Sequence, residues 1–169
     1  MRALHATDVE TIVRRTPAGH KAELRLWLRL LSCTNLATST IRRRLRGQFG
    51  VTLPQFDLMA QLYREPAGLR LGELSARMMV TNGNITGLVR RLVGEKLVRR
   101  VRVPDDGRAT VVQLTHAGMR RFAGMARAHE VWIAELFAQV GRRRVVALTN
   151  GLRIVKDSTR HAMIARRTR

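Results

Sequence analysis

The chain has 169 residues, of which 45% are hydrophobic and 26% charged, the mix of a folded domain with enough length for one substantial core. Lys plus Arg number 32 against 12 Asp plus Glu, a formal net charge of +20 that points to a polyanionic partner. The one cysteine, Cys33, excludes an internal disulfide framework and a thiolate-cluster zinc site, and neither a ~20-residue apolar span nor a signal-peptide stretch is present, so a cytoplasmic protein with no membrane association is expected.

Residues 1–17 lack periodicity and read as a loose arm ending at Pro17. From Ala18 to about Gln48 the pattern is helical, with one stripe at Leu24, Leu28, Leu31, Ile41, Leu45 and Phe49 and another at Leu26, Leu30, Cys33 and Ala37, and Gly50 as the stop. So wide an apolar face on so long a helix predicts contact with a partner subunit as well as with its own core. Pro54 opens a second helix, with Asp57 near its N-terminus, and Pro66 ends it. Leu69-Arg70-Leu71 alternates like a very short strand.

Residues 72–97 read as two short helices around a tight connection. Leu74 and Met78 share a face in the first, and Ile85, Leu88, Val89 and Leu92 fit the helical template in the second. Val80-Thr81-Asn82-Gly83-Asn84 between them is turn and capping chemistry. Val98 to Thr115 then changes period, with β-branched runs on either side of Pro104-Asp105-Asp106-Gly107-Arg108, which predicts a β-hairpin with a charged tip. Thr115 caps a further long helix that Gly141 stops, and a last helix follows with Val145, Leu148, Leu152 and Val155.

The expected fold is mainly α with a small β-hairpin wing, a winged helix-turn-helix lobe over residues 51–115 flanked by long dimerisation helices over 18–50 and 116–165. At Leu71-Gly72-Glu73-Leu74-Ser75-Ala76-Arg77-Met78, at Thr81 to Leu92, and above all at Asp106-Gly107-Arg108-Ala109-Thr110-Val111-Val112-Gln113-Leu114-Thr115-His116-Ala117-Gly118, the sequence resembles the MarR family of bacterial transcription regulators. The last segment matches that family's D-x-R…L-T-x-x-G wing signature, and the resemblance covers about residues 20–160. There are departures. Met79 stands where the family often has a glycine, Arg90 replaces a commonly acidic residue, and Gly83 and Gly87 leave the recognition helix bare.

The resemblance implies a homodimer on double-stranded DNA carrying an inverted repeat, with the recognition helix in the major groove. Candidate DNA-binding residues are Thr81, Asn82, Asn84, Thr86, Arg90, Arg91 and Arg108. Asn pairs with adenine, Arg with guanine, and Thr meets a thymine methyl, while Arg108 at the hairpin tip suits a narrow minor groove. Against this, Thr81 or Asn82 serves as the helix cap, and Arg108 is also placed to pair with Asp106. A ligand pocket between long helices and the DNA-binding lobe is a family property, and Trp27, Met59, Tyr63, His129 and Trp132 are its candidates, with core or dimer packing as the alternative.

Cys33 reads as a small buried hydrophobe inside its apolar stripe. The segments Leu26 to Leu31, Leu53 to Met59 and Ala128 to Ile133 are similar to a MarR subgroup controlling aromatic-acid degradation. That likeness implies a repressor released by a small aromatic effector, either an aromatic carboxylate or an aromatic acyl-CoA thioester whose phosphates the excess arginine would hold. The five histidines are scattered and no P-loop or dinucleotide fingerprint occurs, so no catalytic residue, metal site or cofactor is expected.

Overall fold

A computed structural model of the chain describes residues 22–103 and 106–165; within them, no side chain is described for residues 103–109 and 165. The predicted N-terminal arm and the Arg108 side chain lie outside the described residues.

Helix α1 (Ala22–Phe49) stops at Gly50, whose φ of 67° is the left-handed conformation that closes a helix. Gly50 N–H donates to Arg46 O (3.0 Å) and Val51 N–H to Leu45 O (3.3 Å), so the last carbonyls are satisfied. Helix α2 (Leu53–Tyr63) starts with a reciprocal capping box. Thr52 N–H donates to Gln55 Oε1 (2.9 Å) and Gln55 N–H to Thr52 Oγ1 (3.4 Å). Asp57 therefore sits near the N-terminus, as the sequence suggested, but just beyond the first turn.

Strand β1 is only Leu69–Arg70, since Leu71 already belongs to α3 (Leu71–Met78). Arg70 N–H donates to the Glu73 carboxylate at 2.7 Å, which draws the helix start back by one residue. Helix α4 (Asn82–Gly94) follows, then β2 (Val98–Val103) and β3 (Asp106–Leu114). The predicted hairpin forms, and β1 joins it to give an antiparallel sheet in the order β1-β3-β2. Its register pairs Leu69 with Val112 and Val98 with Leu114, with an irregularity between Arg102 and Val103. Helix α5 (His116–Phe137), a short 3-10 turn (Ala138–Val140) and α6 (Arg142–Ala165) complete the described chain.

The described residues divide into two compact units, with the boundary inside α5 between His129 and Glu130. The first unit holds the core: Leu45, Leu58, Met59, Leu62, Leu74, Ile85, Leu92 and Met125 are fully buried. In α1 only Ser32, Ile41 and Leu45 are buried, and Leu24, Leu26, Trp27, Leu31 and Leu36 are exposed. Cys33 is exposed too, which corrects its reading as a buried hydrophobe: among the described residues its stripe is only partly covered, at Leu30 and Ala37. In the second unit Trp132 is buried, while α6 exposes Val146, Leu148, Leu152, Ile154, Met163 and Ile164.

The L-T-x-x-G signature has a packing explanation. Leu114 is buried, and Thr115 N–H donates to Leu97 O (3.0 Å) while its hydroxyl donates to Lys96 O (2.8 Å) and accepts from Gly118 N–H (3.0 Å). Gly118 rests directly on the Leu97 carbonyl, so that a Cβ there would overlap its oxygen. Gly118→Ala is expected to destabilise the protein by at least about 2 kcal/mol, because backbone must move. Gly124→Ala, on the same helix with open space around it, should be neutral or slightly stabilising. Denaturant midpoints of the two variants check this.

Candidate nucleic-acid interface

Helix α4 divides cleanly into two faces. Ile85, Val89 and Leu92 are buried, and Asn82, Gly83, Asn84, Thr86, Gly87, Arg90 and Arg91 are exposed. The apolar residues at i, i+4 and i+7 turn inward, which leaves the polar ones on one outward surface. Thr81 is the cap: its φ and ψ are −70° and 152°, and its side chain accepts from Asn84 N–H (3.5 Å). Asn82 is thereby released from the capping role, and among the described residues neither its side chain nor that of Asn84 has a hydrogen-bond partner. The Thr86 hydroxyl donates to Asn82 O (2.9 Å), so its methyl is the free part. Arg91 is joined to Glu95 (3.4 Å), an exposed pair on successive turns. Arg90 has no ion pair among the described residues. Of the sequence candidates on this helix, Asn82, Asn84, Thr86 and Arg90 are the available ones, and Thr81 and Arg91 are already engaged.

Gly83 and Gly87 lie one turn apart on the exposed side, and a Cβ at either would meet nothing within 4 Å. No internal contact requires them. A bare strip between polar side chains permits a close approach from outside. The turn leading into α4 is held by Ser75, whose hydroxyl donates to Val80 O (2.7 Å) and whose carbonyl accepts from Val80 N–H (3.2 Å). Met79 adopts φ 54°, ψ 41°, the left-handed conformation that glycine favours, and is 92% exposed. Along β2, Arg100 and Arg102 project to one side, and Arg99 on the other donates to Gln113 Oε1 (3.1 Å).

A cavity of about 650 Å3 lies between α2, the α3–α4 turn and α5, with Phe56, Asp57, Arg64, Arg77, Met79 and His129 among its lining residues. Phe56 stacks near His129 (centroids 4.9 Å) and Phe122 (5.4 Å). Burial pushes the half-buried Asp57 carboxyl above its ordinary value, partly offset by His129 and Arg42. Burial likewise lowers His129, partly offset by Asp57. Of the five predicted ligand residues only His129 lines this cavity. Met59 is fully buried core, Trp27 is exposed on α1, Trp132 belongs to the second unit, and Tyr63 faces a different cleft. Asp57, Phe56 and Phe122 were missed as lining residues. Phe56 and Asp57 lie next to each other on α2, so helical periodicity alone did not place both at one cavity.

A helix-turn-helix with a three-stranded wing, its second helix presenting unpaired amides and a free arginine, defines a winged helix-turn-helix protein. A MarR family model matches residues 49–109. A MarR family transcriptional regulator from Silicibacter pomeroyi is 34% identical with a TM-score of 0.73, over 85% of this chain and 99% of that one. BadR of Rhodopseudomonas palustris, described as a transcriptional activatory protein, is 32% identical over 105 residues, 60% of this chain and 59% of BadR. The match thus spans somewhat over half of that curated relative. Sco3205, a MarR family regulator from Streptomyces coelicolor solved in complex with DNA, shares the fold at 23% identity and a TM-score of 0.72, over 85% of this chain and 92% of its own. The chain belongs to the MarR family of transcriptional regulators.

Gly87→Ala should raise stability by about 0.5–1 kcal/mol, as alanine favours a helix interior, and Gly83→Ala, in the first turn, by less, while both lower affinity for duplex DNA. Thermal melts and a duplex titration on the same samples test the opposite signs. A second expectation concerns pH. His129 titrates below its ordinary 6.5 in the folded chain, so the unfolded state binds more protons in that window and stability falls as pH is lowered through it. Asp57 titrates above its ordinary 3.8, so its window lies upward from there and stability falls as pH rises through it. His129→Gln should flatten the dependence of Tm on pH just below about 6.5, where the imidazole term operates.

Proposed function

We propose that this chain is a sequence-specific, DNA-binding transcriptional regulator acting in the cytoplasm as a homodimer on an inverted-repeat operator, most simply as a repressor. The observation that carries this reading is the exposed face of α4, where Asn82, Asn84, Thr86 and Arg90 flank a strip bared by Gly83 and Gly87. Amide groups without internal partners suit adenine edges, and a free guanidinium suits guanine. The likeness to a regulator solved with DNA supports the same geometry. Dimerisation is supported by the uncovered apolar side chains of α1, with Trp27 at 58% exposure, and by those of α6. Two recognition helices would then stand about one DNA turn, ~34 Å, apart.

The effector reading is a small aromatic compound in the cavity lined by Phe56, Phe122 and His129. An acyl-CoA thioester is favoured over a free carboxylate by a neighbouring cleft of about 290 Å3 between Arg42, Arg43, Arg46 and the start of α2. Pro54 lines both spaces. An aromatic acyl end would occupy the first and phosphate oxygens the arginines of the second. Ligand and operator would compete for positive surface, which favours release from DNA on binding. BadR, described as an activatory protein, keeps activation as the rival outcome.

Asn84→Ala and Arg90→Ala should change discrimination between operator variants by about 1–3 kcal/mol, whereas Arg108→Ala should lower affinity for all of them and flatten the salt slope by about one unit. Unchanged binding in all three, measured by duplex titration, removes the reading. For the effector, operator release is titrated with an aromatic acid and its CoA thioester as a matched pair. Release at lower concentration by the thioester is expected; release by the acid alone overturns the thioester assignment and leaves the regulator intact.

A further inference from the structure

Tyr63 faces a second cleft, of about 560 Å3, which shares no lining residue with the cavity assigned to the effector. It lies between the end of α2, the root of the wing and the start of α5, and Leu62, Tyr63, Arg99, Gln113, His116 and Met119 line it. Its chemistry has two ends. The Tyr63 ring is half exposed but is backed by Phe122 at 4.9 Å, so it presents a supported flat wall, and Met119 adds apolar surface. At the other end Gln113 uses both halves of its amide internally. Its Oε1 accepts from Arg99 (3.1 Å) and its Nε2 donates to Ala67 O (2.9 Å). Gln113 therefore fixes the Arg99 guanidinium and leaves its remaining N–H groups available. His116, exposed at the first residue of α5, offers a second ring-nitrogen donor, and among the described residues no carboxylate lines the cleft.

A single benzene-sized ring needs only about 150 Å3, so this volume admits a ring, a spacer and a second group. An arginine fork plus an imidazole offers more donors than one carboxylate uses, and a phosphate group, with three terminal oxygens, takes both. We propose that this cleft is a second ligand site, independent of the effector cavity, for a planar ring joined through a short spacer to a phosphate, the chemistry of a nucleoside monophosphate. The ring lies on Tyr63 and the phosphate between Arg99 and His116.

Tyr63 is the only tyrosine in the chain, so the full-length protein labelled with 3-fluorotyrosine gives one fluorine resonance, placed on the wall of this cleft. Titration with adenosine 5′-monophosphate should shift it saturably. Adenosine without phosphate, and inorganic phosphate without a ring, should each bind at least about tenfold more weakly. Arg99→Gln should weaken the nucleotide about tenfold, to the level of adenosine, and leave adenosine itself unchanged. His129→Gln, in the effector cavity, should leave all these shifts intact whatever it does to operator release. The proposal is overturned by any of three results: no saturable shift with the monophosphate, equal binding of the monophosphate by the Arg99→Gln variant, or tighter binding of benzoate than of the monophosphate.

Discussion

The carbonyl of Leu97 is the point on which the lobe is assembled. Helix α4 ends, Lys96 turns the chain through φ 57°, and Leu97 N–H returns to Leu92 O (2.9 Å) before β2 begins. The same residue's carbonyl then receives Thr115 N–H, and Gly118 packs against it. The backbone of one residue therefore ties the end of α4, the start of β2, the end of β3 and the first turn of α5. A rotation of α4 that changed which side chains face outward would have to break the Thr115 bonds or drive helix α5 off the carbonyl. The orientation of Asn82, Asn84 and Arg90 relative to the wing is thus set by a backbone contact far from any of them.

Charge follows the same economy. The described acidic side chains near the lobe are used locally: Glu65 pairs with Arg77 at 3.0 Å, Glu73 accepts from Arg70 N–H, and Glu95 holds Arg91 and approaches Gln55 at 3.5 Å. Exposed pairs of this kind contribute little stability. Their larger effect is to remove carboxylates from the outward field. With a net +20, what remains unpaired is arginine, including Arg90 on the reading face. Such a surplus attracts a polyanion at long range and makes the association salt-dependent; under the proposed function the uncharged amides of Asn82 and Asn84 then carry the discrimination.

Much of this was legible in the sequence because the informative residues act through their neighbours. Gly50 as a stop, Thr81 as a cap and the D-x-R…L-T-x-x-G run each encode a local geometry, and the helices and hairpin appear where those signals place them. Cys33 was misjudged because periodicity identifies an apolar face without saying what covers each position, and among the described residues nothing buries it. The effector residues scattered for a related reason. Met59 and Tyr63 are one helical turn apart on α2, yet the first is sealed in the core and the second stands half in solvent at the helix end. Aromatic and sulfur side chains announce apolar surface, and only the packing decides which of them border empty space. Asp57 lies near the helix start as its sequence position indicates, but the capping box of Thr52 and Gln55 serves the terminus and Asp57 lines the cavity, which a dipole argument does not reveal.

The cavity and the reading helix meet at one turn. Met78, Met79 and Val80 form part of the cavity wall, and they are also the last residue of α3 and the start of its connection to α4. Met79 holds a left-handed backbone, which costs a residue with a Cβ roughly 1–2 kcal/mol, and its side chain gains no burial in return. The turn is kept in place by the two hydrogen bonds between Ser75 and Val80. Under the proposed function, an occupant of the cavity acts on α4 only through its differential affinity for two arrangements of this turn. The apolar, exposed Met79 supplies such a difference: a hydrophobic ligand covers it in one arrangement and leaves it in water in the other. Two residues further on, Thr81 caps α4, so a change at Met79 reaches the N-terminal end of the reading face with only Val80 between them. Under that reading, ligand sensitivity requires no long relay through the core, because the strained end of the cavity wall adjoins the capped start of α4.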